Sequence, residues 1–437
     1  MEIQKQKIGI NNTSDDWFKI KIDRKVLKEL SRRSDYEGWK HIIIYFGGLL
    51  GLGLLCYSVW GTWWFVPIYL AYCTLWGGAD AIWHECGHRT AFKTRGLNDF
   101  FYQIASFMNN FESVRFHWSH SLHHSYTASV DPHDFEVEGS IFWKPKTLLE
   151  FLVIFVPGFG LLNLHKSLHY EILQHALGVK TRVMRECIPA DKQADCIRNS
   201  RIYVGLWVGI ILLAMAFGSL LPIFLFLIPK FFATLNIVWG ITQHVGLKED
   251  VKDHRLSTRS VRLNPIFSFI YWKMEYHIEH HMFPMVPSHK LSQLHEVIKD
   301  QLPKPNSLYG AYKEIIPAIM KQTKDPDYHI QVQLPDAERP YVEANERSIS
   351  PEVTKKTSGM TINNNVGIIT NTDWWRFGRI QTSGAPIKNT IINRRKYPIL
   401  PIALPFLWKY FLTEELFTLL ILMTFYCVSH DFHEIFC

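Results

Sequence analysis

Uncharged apolar segments alternate with polar, charged segments along this chain. Residues 42–60 and 61–79 contain no charged side chain, and the later tract 202–243 is interrupted only by Lys230. That tract is too long for one membrane crossing, because a span needs about 20 apolar residues, and a turn signal at 218–222 divides it. The pattern predicts four transmembrane helices in two hairpins, at about 42–60, 62–83, 202–218 and 222–243.

Basic residues predict the orientation of these helices. Segment 1–40 contains ten Lys and Arg residues, whereas the turns near 60–62 and 218–222 contain neither. Since basic residues are retained on the cytosolic side, both ends of the four-helix unit are expected in the cytosol. The net charge of +7 fits anionic lipid headgroups rather than nucleic acid, because the basic residues flank apolar spans and no nucleic-acid-binding motif is present.

Histidine is concentrated in three short motifs. These are HECGH, with His84 and His88, HSLHH, with His120, His123 and His124, and HIEHH, with His277, His280 and His281. Side chains three or four residues apart share one face of a helix, so each motif can direct two or three imidazoles to one point. Imidazole is the commonest metal-binding side chain, and one site needs only three or four protein ligands. Eight histidines therefore suggest two metal ions.

The positions of the histidines relative to the predicted spans place them on one side of a membrane. His84 directly follows the second span, and His244 directly follows the fourth. The second and third motifs lie in the polar stretches after those exits. All of these histidines are expected on the cytosolic face.

These motifs resemble the three histidine boxes of the membrane fatty acid desaturase and hydroxylase superfamily. HECGH, RFHWSHSLHHSYT and YHIEHHMFPMVPSHKLSQLH carry the resemblance, which covers roughly residues 15–330, and TQHVGL resembles an additional ligand motif. The resemblance implies a non-haem di-iron centre that activates O₂. It implies nine metal ligands: His84, His88, His120, His123, His124, His244, His277, His280 and His281. Ligand type alone leaves iron, copper, nickel and zinc open, because imidazole suits all four.

Neighbouring polar residues are candidates for orienting these ligands. Asp80 lies one turn before the first box histidine, Glu279 lies inside the third box, and Asp131 and Asp134 follow the second. Each can accept a hydrogen bond from the imidazole nitrogen that does not face the metal. The alternative is that Glu279 faces water and the two aspartates solvate their turn. His117 is expected beside the ligands or at the surface rather than on the metal.

The predicted fold is an all-α membrane protein, with four transmembrane helices in two hairpins and a cytosolic helical cap that carries the histidine boxes. Apolar segments 98–111 and 151–164 are expected to lie along the membrane or to be buried in the cap. The predicted domains are a cytosolic N-terminal segment 1–40, a desaturase-like membrane domain 41–330, a polar linker or weakly ordered segment 331–397, and an apolar segment 398–437, either a fifth crossing or a membrane-lying or buried helix.

The resemblance implies a fatty acyl desaturase that uses O₂ and two electrons to introduce a double bond into a lipid acyl chain. Three alternatives stay open: a lipid or hydrocarbon hydroxylase of the same superfamily, a non-catalytic metal-binding membrane protein, and a zinc protease. The last rests on HECGH, which also matches HExxH, with Glu85 as general base beside His84 and His88.

The chain has neither a cytochrome b5 signature nor the Cys and His pairs of a Rieske cluster. A separate electron donor is therefore expected, such as cytochrome b5 or ferredoxin with its reductase. The expected location is an integral membrane protein with cytosolic histidine boxes, in the endoplasmic reticulum of a eukaryote or the inner membrane of a bacterium.

Overall fold

The computed structural model describes residues 17–129, 134–136, 145 and 147–335. The predicted apolar segment 398–437, the predicted linker from residue 336 onwards, and Asp131 lie outside the described residues. The helices are α1 Arg24–Leu30, α2 Asp35–Ser58, α3 Phe65–Gly77, α4 Ala79–Gly87, α5 Arg95–Asn109, α6 Ser113–Ser125, α7 Leu148–Val153, α8 Leu168–Ala176, α9 Arg182–Glu186, α10 Gln193–Ala216, α11 Leu221–Phe226, α12 Pro229–Phe232, α13 Thr234–Gly240, α14 His254–Ser257, α15 Pro265–Ile270, α16 His277–Met282, α17 Ser288–Ile298 and α18 Leu308–Gln322. Three short 3-10 helices, Phe159–Lys166, Ile241–Gln243 and Lys299–Gln301, and one parallel pair of strands, β1 Val261–Arg262 and β2 Asn306–Ser307, complete the described elements. This part of the chain is mainly helical, as the sequence predicts.

Two helical stretches are long and apolar enough to cross a membrane: Arg24–Ser58, which contains α1 and α2, and Gln193–Ala216, which is α10. They cover most of the first and third predicted spans, 42–60 and 202–218. Helix α2 begins at an N-cap serine, because Ser34 Oγ accepts a hydrogen bond from the backbone N–H of Glu37 at 3.3 Å. The outer face of α2 exposes apolar side chains such as Leu50, as expected of a surface that meets lipid.

The other two predicted spans are divided into shorter helices. The second runs as α3 and then α4, and the fourth is divided into α11, α12, α13 and a 3-10 turn. Proline explains the break between α11 and α12, because Pro229 has no N–H to donate to the carbonyl of Leu225. The hydroxyl of Tyr72 donates to that carbonyl at 2.7 Å instead. The four-span arrangement stays a prediction.

Tyrosine hydroxyls join the divided segment to its neighbours. Tyr69 of α3 donates to the carbonyl of Phe224 at 2.9 Å, and Tyr312 of α18 donates to the carbonyl of Val238 at 2.7 Å. Backbone groups freed by a helix break must find partners where water is excluded. These hydrogen bonds hold the broken segment against α3 and α18.

A pair of glycines allows close packing where α3 meets α4. A Cβ atom on Gly77 would lie 2.5 Å from Asn236 Oδ1, and one on Gly78 would lie 2.9 Å from the backbone oxygen of Ile270. Both distances are shorter than real Cβ contacts. The glycines thus let α13 and α15 pack against the start of α4, the helix that carries the first histidine motif.

The two apolar segments outside the predicted spans are also helical in part. Segment 98–111 lies mostly in α5, which buries Phe101, Ala105 and Met108 on one face. Segment 151–164 includes the end of α7 and most of the 3-10 helix Phe159–Lys166.

Candidate metal centre

Nine histidines converge in two groups, within each of which the potential ligand nitrogens lie within 4.8 Å of one another. The five-histidine group comprises His84, His88, His120, His124 and His280, and the four-histidine group comprises His123, His244, His277 and His281. Helix α4 supplies His84, and His88 caps its C-terminal end; α6 and α16 supply three histidines each, and His244 follows the 3-10 helix Ile241–Gln243. The structure brings together every histidine that the sequence singles out as a ligand.

Histidines that are adjacent in sequence enter different groups. His123 and His124 of α6 belong to the four-histidine and five-histidine groups respectively, and His281 and His280 of α16 divide in the same way. Consecutive residues of an α-helix point about 100° apart, since one turn takes 3.6 residues. Each HH pair therefore sets the two groups side by side.

The Nε2 atoms face one another inside both groups. In the five-histidine group the Nε2 atoms of His88, His124 and His120 are close, with 2.9 Å between those of His88 and His120 and 3.1 Å between those of His124 and His120. In the four-histidine group, Nε2 of His277 lies 3.1 Å from Nε2 of both His244 and His281. Two nitrogens that bind one ion at about 2.0–2.1 Å, at right angles or tetrahedrally, are about 3 Å apart. The spacing fits a metal ion in each group.

The electrostatics of the groups also fit metal ions. When the proton of each neutral ring is on Nδ1, the Nε2 lone pairs converge and repel one another unless a cation lies between them. His84 has no hydrogen-bond partner for either ring nitrogen within the described part of the chain. A metal ion would bind one of these two buried nitrogens, which hydrogen bonding leaves unsatisfied.

Two carboxylates orient histidines of α6. Asp134 Oδ2 lies 2.7 Å from Nδ1 of His123, and Glu136 Oε1 lies 2.9 Å from Nδ1 of His120. The backbone N–H of Ala128 also donates to Asp134 Oδ2, at 3.0 Å, which fixes the carboxylate. Acceptors at Nδ1 keep the proton there and leave Nε2 free to bind metal.

Both carboxylates also raise the pKa of His123. Burial disfavours the protonated form of His123, but the charges of Asp134 and Glu136 outweigh burial and raise its pKa to about 9. In contrast, burial and the neighbouring imidazoles hold the pKa of His88 and His124 well below the ordinary value. Rings such as those of His88 and His124 are therefore neutral, whereas Asp134 and Glu136 favour the protonated form of His123.

Uncharged groups contact Nδ1 of three further histidines. Thr127 Oγ1 donates to the carbonyl of His123 at 2.7 Å and therefore accepts from Nδ1 of His281 at 3.2 Å. The carbonyl of Ser257 accepts from Nδ1 of His244 at 2.8 Å. The side-chain amide of Gln243 lies 3.1 Å from Nδ1 of His277, and its oxygen can accept from that nitrogen after a 180° rotation of the amide.

Buried charged residues hold α6 in place. Glu112 caps the helix, accepting from the backbone N–H groups of Val114 at 3.0 Å and Arg115 at 2.7 Å. The guanidinium of Arg115 donates to Glu171 of α8 at 2.8 Å and to Ser119 at 3.0 Å. These bonds fix the rotation of α6 and hence the directions of its three histidines.

The predicted roles of Asp80 and Glu279 differ from what the structure contains. Glu279 does not bond to a box histidine: at two residues from His277 it points away, and its buried carboxylate bonds to Ser260 and His295 instead. Asp80 makes no hydrogen bond with a box histidine within the described residues; it lies in the first turn of α4, where the helix dipole favours a carboxylate. His117 is exposed and belongs to neither group.

Glu85 is turned away from both groups. It is fully buried, and its Oε2 accepts from Thr90 Oγ1 at 2.9 Å and from the backbone N–H of Ser288 at 3.1 Å. A protease of the HExxH type needs this carboxylate beside the metal-bound water. The position of Glu85 instead joins α4 to the start of α17, which argues against the zinc protease alternative.

A small cavity of about 30 Å³ borders the five-histidine group and is lined by residues including Trp83, His84, His88, Tyr102 and His120. It is large enough for a molecule of the size of water.

Sequence reasoning missed Glu136, Thr127 and Gln243 as partners of the histidines. Glu136 lies two residues after Asp134, so the argument that selected Asp134 also applied to it. Thr127 and Gln243 are uncharged, and nothing in the sequence distinguishes them from other polar residues.

Two comparisons with known proteins bear on this site. The family model described as fatty acid desaturase matches residues 58–313, a range that includes all nine histidines. No curated protein matches this chain.

Proposed function

The chain belongs to the fatty acid desaturase family, and from that premise we propose that it is a membrane di-iron enzyme that introduces a double bond into a lipid acyl chain. The arrangement of the nine histidines as a group of five beside a group of four carries this proposal. Two iron ions, when bound, supply the O₂-dependent oxidation of an unactivated C–H bond.

The histidines of each group would hold one ion. Asp134 and Glu136 accept from the opposite nitrogens of His123 and His120, so these rings keep their direction during the reaction. The carboxylates remain hydrogen-bond acceptors and are not ligands. In this respect the site differs from soluble di-iron bundles, which use Glu ligands from four helices.

The reaction balances with two electrons from outside the chain. One –CH₂–CH₂– unit, O₂, two electrons and two protons give –CH=CH– and two molecules of water. A separate one-electron carrier such as cytochrome b5 or ferredoxin supplies the electrons. The buried rings of Trp83 and Phe116 beside His120 limit the access of water, which protects an oxidising site from side reactions.

The proposed membrane arrangement has four crossings, with both histidine groups on the cytosolic side. The apolar surfaces of Arg24–Ser58 and Gln193–Ala216 support two of the crossings. In this arrangement an acyl chain enters from the bilayer and reaches the histidines at the ends of the helices. The membrane is the endoplasmic reticulum if the source is eukaryotic and the inner membrane if it is bacterial.

Hydroxylation of a lipid is the alternative within the same chemistry. It differs in that one oxygen atom of O₂ is inserted into a single C–H bond to give a hydroxyl group, while the other oxygen atom leaves as water with the two electrons and two protons. Which reaction occurs depends on small differences in substrate position.

Product analysis tests the proposal. The chain is expressed in a host with simple lipids, together with a reductase and electron donor, and fatty acids are analysed by mass spectrometry. We expect new unsaturated fatty acids, 2 Da lighter than their precursors by loss of two hydrogens. Hydroxylated products would favour the alternative, and an unchanged profile with iron bound would contradict both. His329→Ala, at a half-exposed histidine outside both groups, is the matched control for inactive variants of the boxes.

A further inference from the structure

An extended N-terminal strap, residues 17–22, lies against the loop that precedes α14. The backbone N–H of Phe18 donates to the carbonyl of Lys252 at 2.8 Å. Beside it, the ring of Trp17 stacks on the ring of His254, with the centroids 4.2 Å apart and the planes 10° from parallel. Trp17 is half-buried, so part of this indole ring faces solvent.

His254 connects Trp17 to the four-histidine group. It is 4% exposed, and its ring centroid lies 5.1 Å from that of His281. His281 Nε2 in turn lies 3.1 Å from Nε2 of His277. Ring contacts therefore run from the surface at Trp17, through His254, to the four-histidine group.

Several contacts fix this path. Trp17 Nε1 donates to the carbonyl of Ser125, the last residue of α6, at 3.1 Å. The guanidinium of Arg255 lies 3.5 Å from the ring centroid of Phe18 and pairs with Asp253 at 2.7 Å. The indole of Trp17 is hydrogen-bonded to α6 and stacked on His254, so it has little freedom to move. A fixed ring suits a route for electrons.

The aromatic residue beside the other group is placed differently. Trp83 lies 5.1 Å from His120 between ring centroids, but it is 5% exposed and packs against Phe111 and Phe116. A protein docked on the surface can therefore contact Trp17, which is half-buried, but not Trp83.

We propose that Trp17 and His254 form the route by which electrons enter the four-histidine group, and that the surface around Trp17 binds an acidic one-electron carrier protein. This inference rests on the proposed function. Exposed Lys19 and Lys21 follow Trp17 in the same strap, and exposed Lys252 lies in the loop that the strap contacts. Basic residues at a docking surface attract and orient an acidic partner. For each double bond the carrier delivers two electrons in two encounters and is oxidised by one electron in each. Trp17 and His254 are unchanged after each transfer.

Reduction kinetics test the route independently of turnover. The full chain with iron bound is mixed without O₂ with reduced soluble haem domain of cytochrome b5 or with a reduced [2Fe–2S] ferredoxin, and oxidation of the carrier is followed by stopped-flow absorbance. Trp17→Leu should lose most of the wild-type rate of carrier oxidation. Trp17→Phe, which keeps an aromatic ring at this position, should retain that rate. Trp63→Leu, which removes a 90% exposed tryptophan near the predicted turn at 60–62, should also retain it. Iron content and reduction by dithionite should be unchanged in all three, so misfolding cannot mimic the result.

Carrier binding gives a second readout that requires no metal. With the metal-free full chain, Lys19→Glu combined with Lys21→Glu should weaken binding of the carrier roughly tenfold at low salt. Lys324→Glu, at an exposed lysine on the chain after α18, should leave binding unchanged. Wild-type reduction rates in Trp17→Leu, or unchanged binding after both lysine substitutions, would overturn the proposal. Absence of lipid product from wild-type protein reduced by dithionite would instead contradict the proposed function.

Discussion

His123 and His124 are neighbours on α6, yet they belong to different histidine groups. Nε2 of His124 lies 3.1 Å from Nε2 of His120 in the five-histidine group, whereas the ring of His123 lies 5.1 Å from that of His244 in the four-histidine group. Their Nδ1 atoms also differ, because Asp134 bonds to Nδ1 of His123, whereas Nδ1 of His124 has no hydrogen-bond partner within the described residues. The HH pair is thus where two sites share one helix.

This division predicts separate effects of neighbouring substitutions on metal binding. His124→Ala should lower the occupancy of the five-histidine group, and His123→Ala that of the four-histidine group, each reducing bound iron towards one ion per chain. Both should abolish turnover. Metal analysis with Mössbauer spectroscopy of the two variants measures this, and His329→Ala should keep wild-type iron. Identical loss of both ions in the two variants, with normal thermal unfolding, would argue against two distinct sites.

Asp134→Asn should weaken iron binding while the chain stays folded. The amide keeps the size of the carboxylate but removes the charge that favours the proton on Nδ1 of His123, a change that typically costs 10- to 100-fold, roughly, in metal affinity. Competition with a chelator measures the affinity. Asp191→Asn is the matched control, because the side chain of Asp191 is 74% exposed. Equal affinity in both variants would show that Asp134 has no part in orienting the ligand.

Substitutions of Glu85 test whether its carboxylate has a structural role or acts as a catalytic base. Glu85→Gln keeps an oxygen for Thr90 and for the N–H of Ser288, so the chain should retain iron and lipid oxidation. Glu85→Ala leaves the backbone N–H of Ser288 without its acceptor, whereas Thr90 keeps the backbone carbonyl of residue 85. The lost partner of a buried donor should destabilise the fold by about 1–3 kcal/mol. Thermal unfolding in detergent and iron content measure the two effects. If the wild-type chain hydrolysed peptides and Glu85→Gln abolished that activity, the result would support the zinc protease alternative.

Gly78→Ala should lower stability and iron binding together. Alanine favours helix by about 1 kcal/mol over glycine, but its Cβ would lie 2.9 Å from the backbone oxygen of Ile270, and α4 would shift with its two histidines. Gly205→Ala in α10 is the matched control, because no atom lies within 4 Å of its added Cβ. Unfolding temperature and iron per chain check the pair. A gain in stability for Gly78→Ala would show that the close packing at this junction is not needed.

The helical class and the grouping of the eight histidines of the three motifs could be predicted from local periodicity, whereas His244 was identified only by the resemblance of TQHVGL to a ligand motif. Residues three or four apart on a helix share a face whatever the rest of the chain does. The division into five and four does not follow from spacing, since it depends on how α4, α6 and α16 are rotated against one another. That rotation is fixed by distant contacts such as Arg115 to Glu171.

The supports of the histidines were harder to predict. Glu279 lies inside a box, but its position two residues from His277 turns it towards His295, while Glu136, outside any box, bonds to His120. The predicted fourth span has the hydropathy of a continuous helix, but Pro229 breaks it and Tyr72 satisfies the freed carbonyl. In each instance a tertiary contact decides the outcome, and composition within the segment does not reveal it.

Metal analysis of the wild-type chain is the most direct test of the central claim that nine histidines bind a pair of iron ions. The full-length protein is purified in detergent without added metal, and iron and zinc are measured per chain by mass spectrometry, with Mössbauer spectroscopy to report the iron environment. The account predicts two iron ions per chain, with nitrogen-rich coordination. A single zinc ion per chain, with no iron retained after iron is supplied, would contradict it.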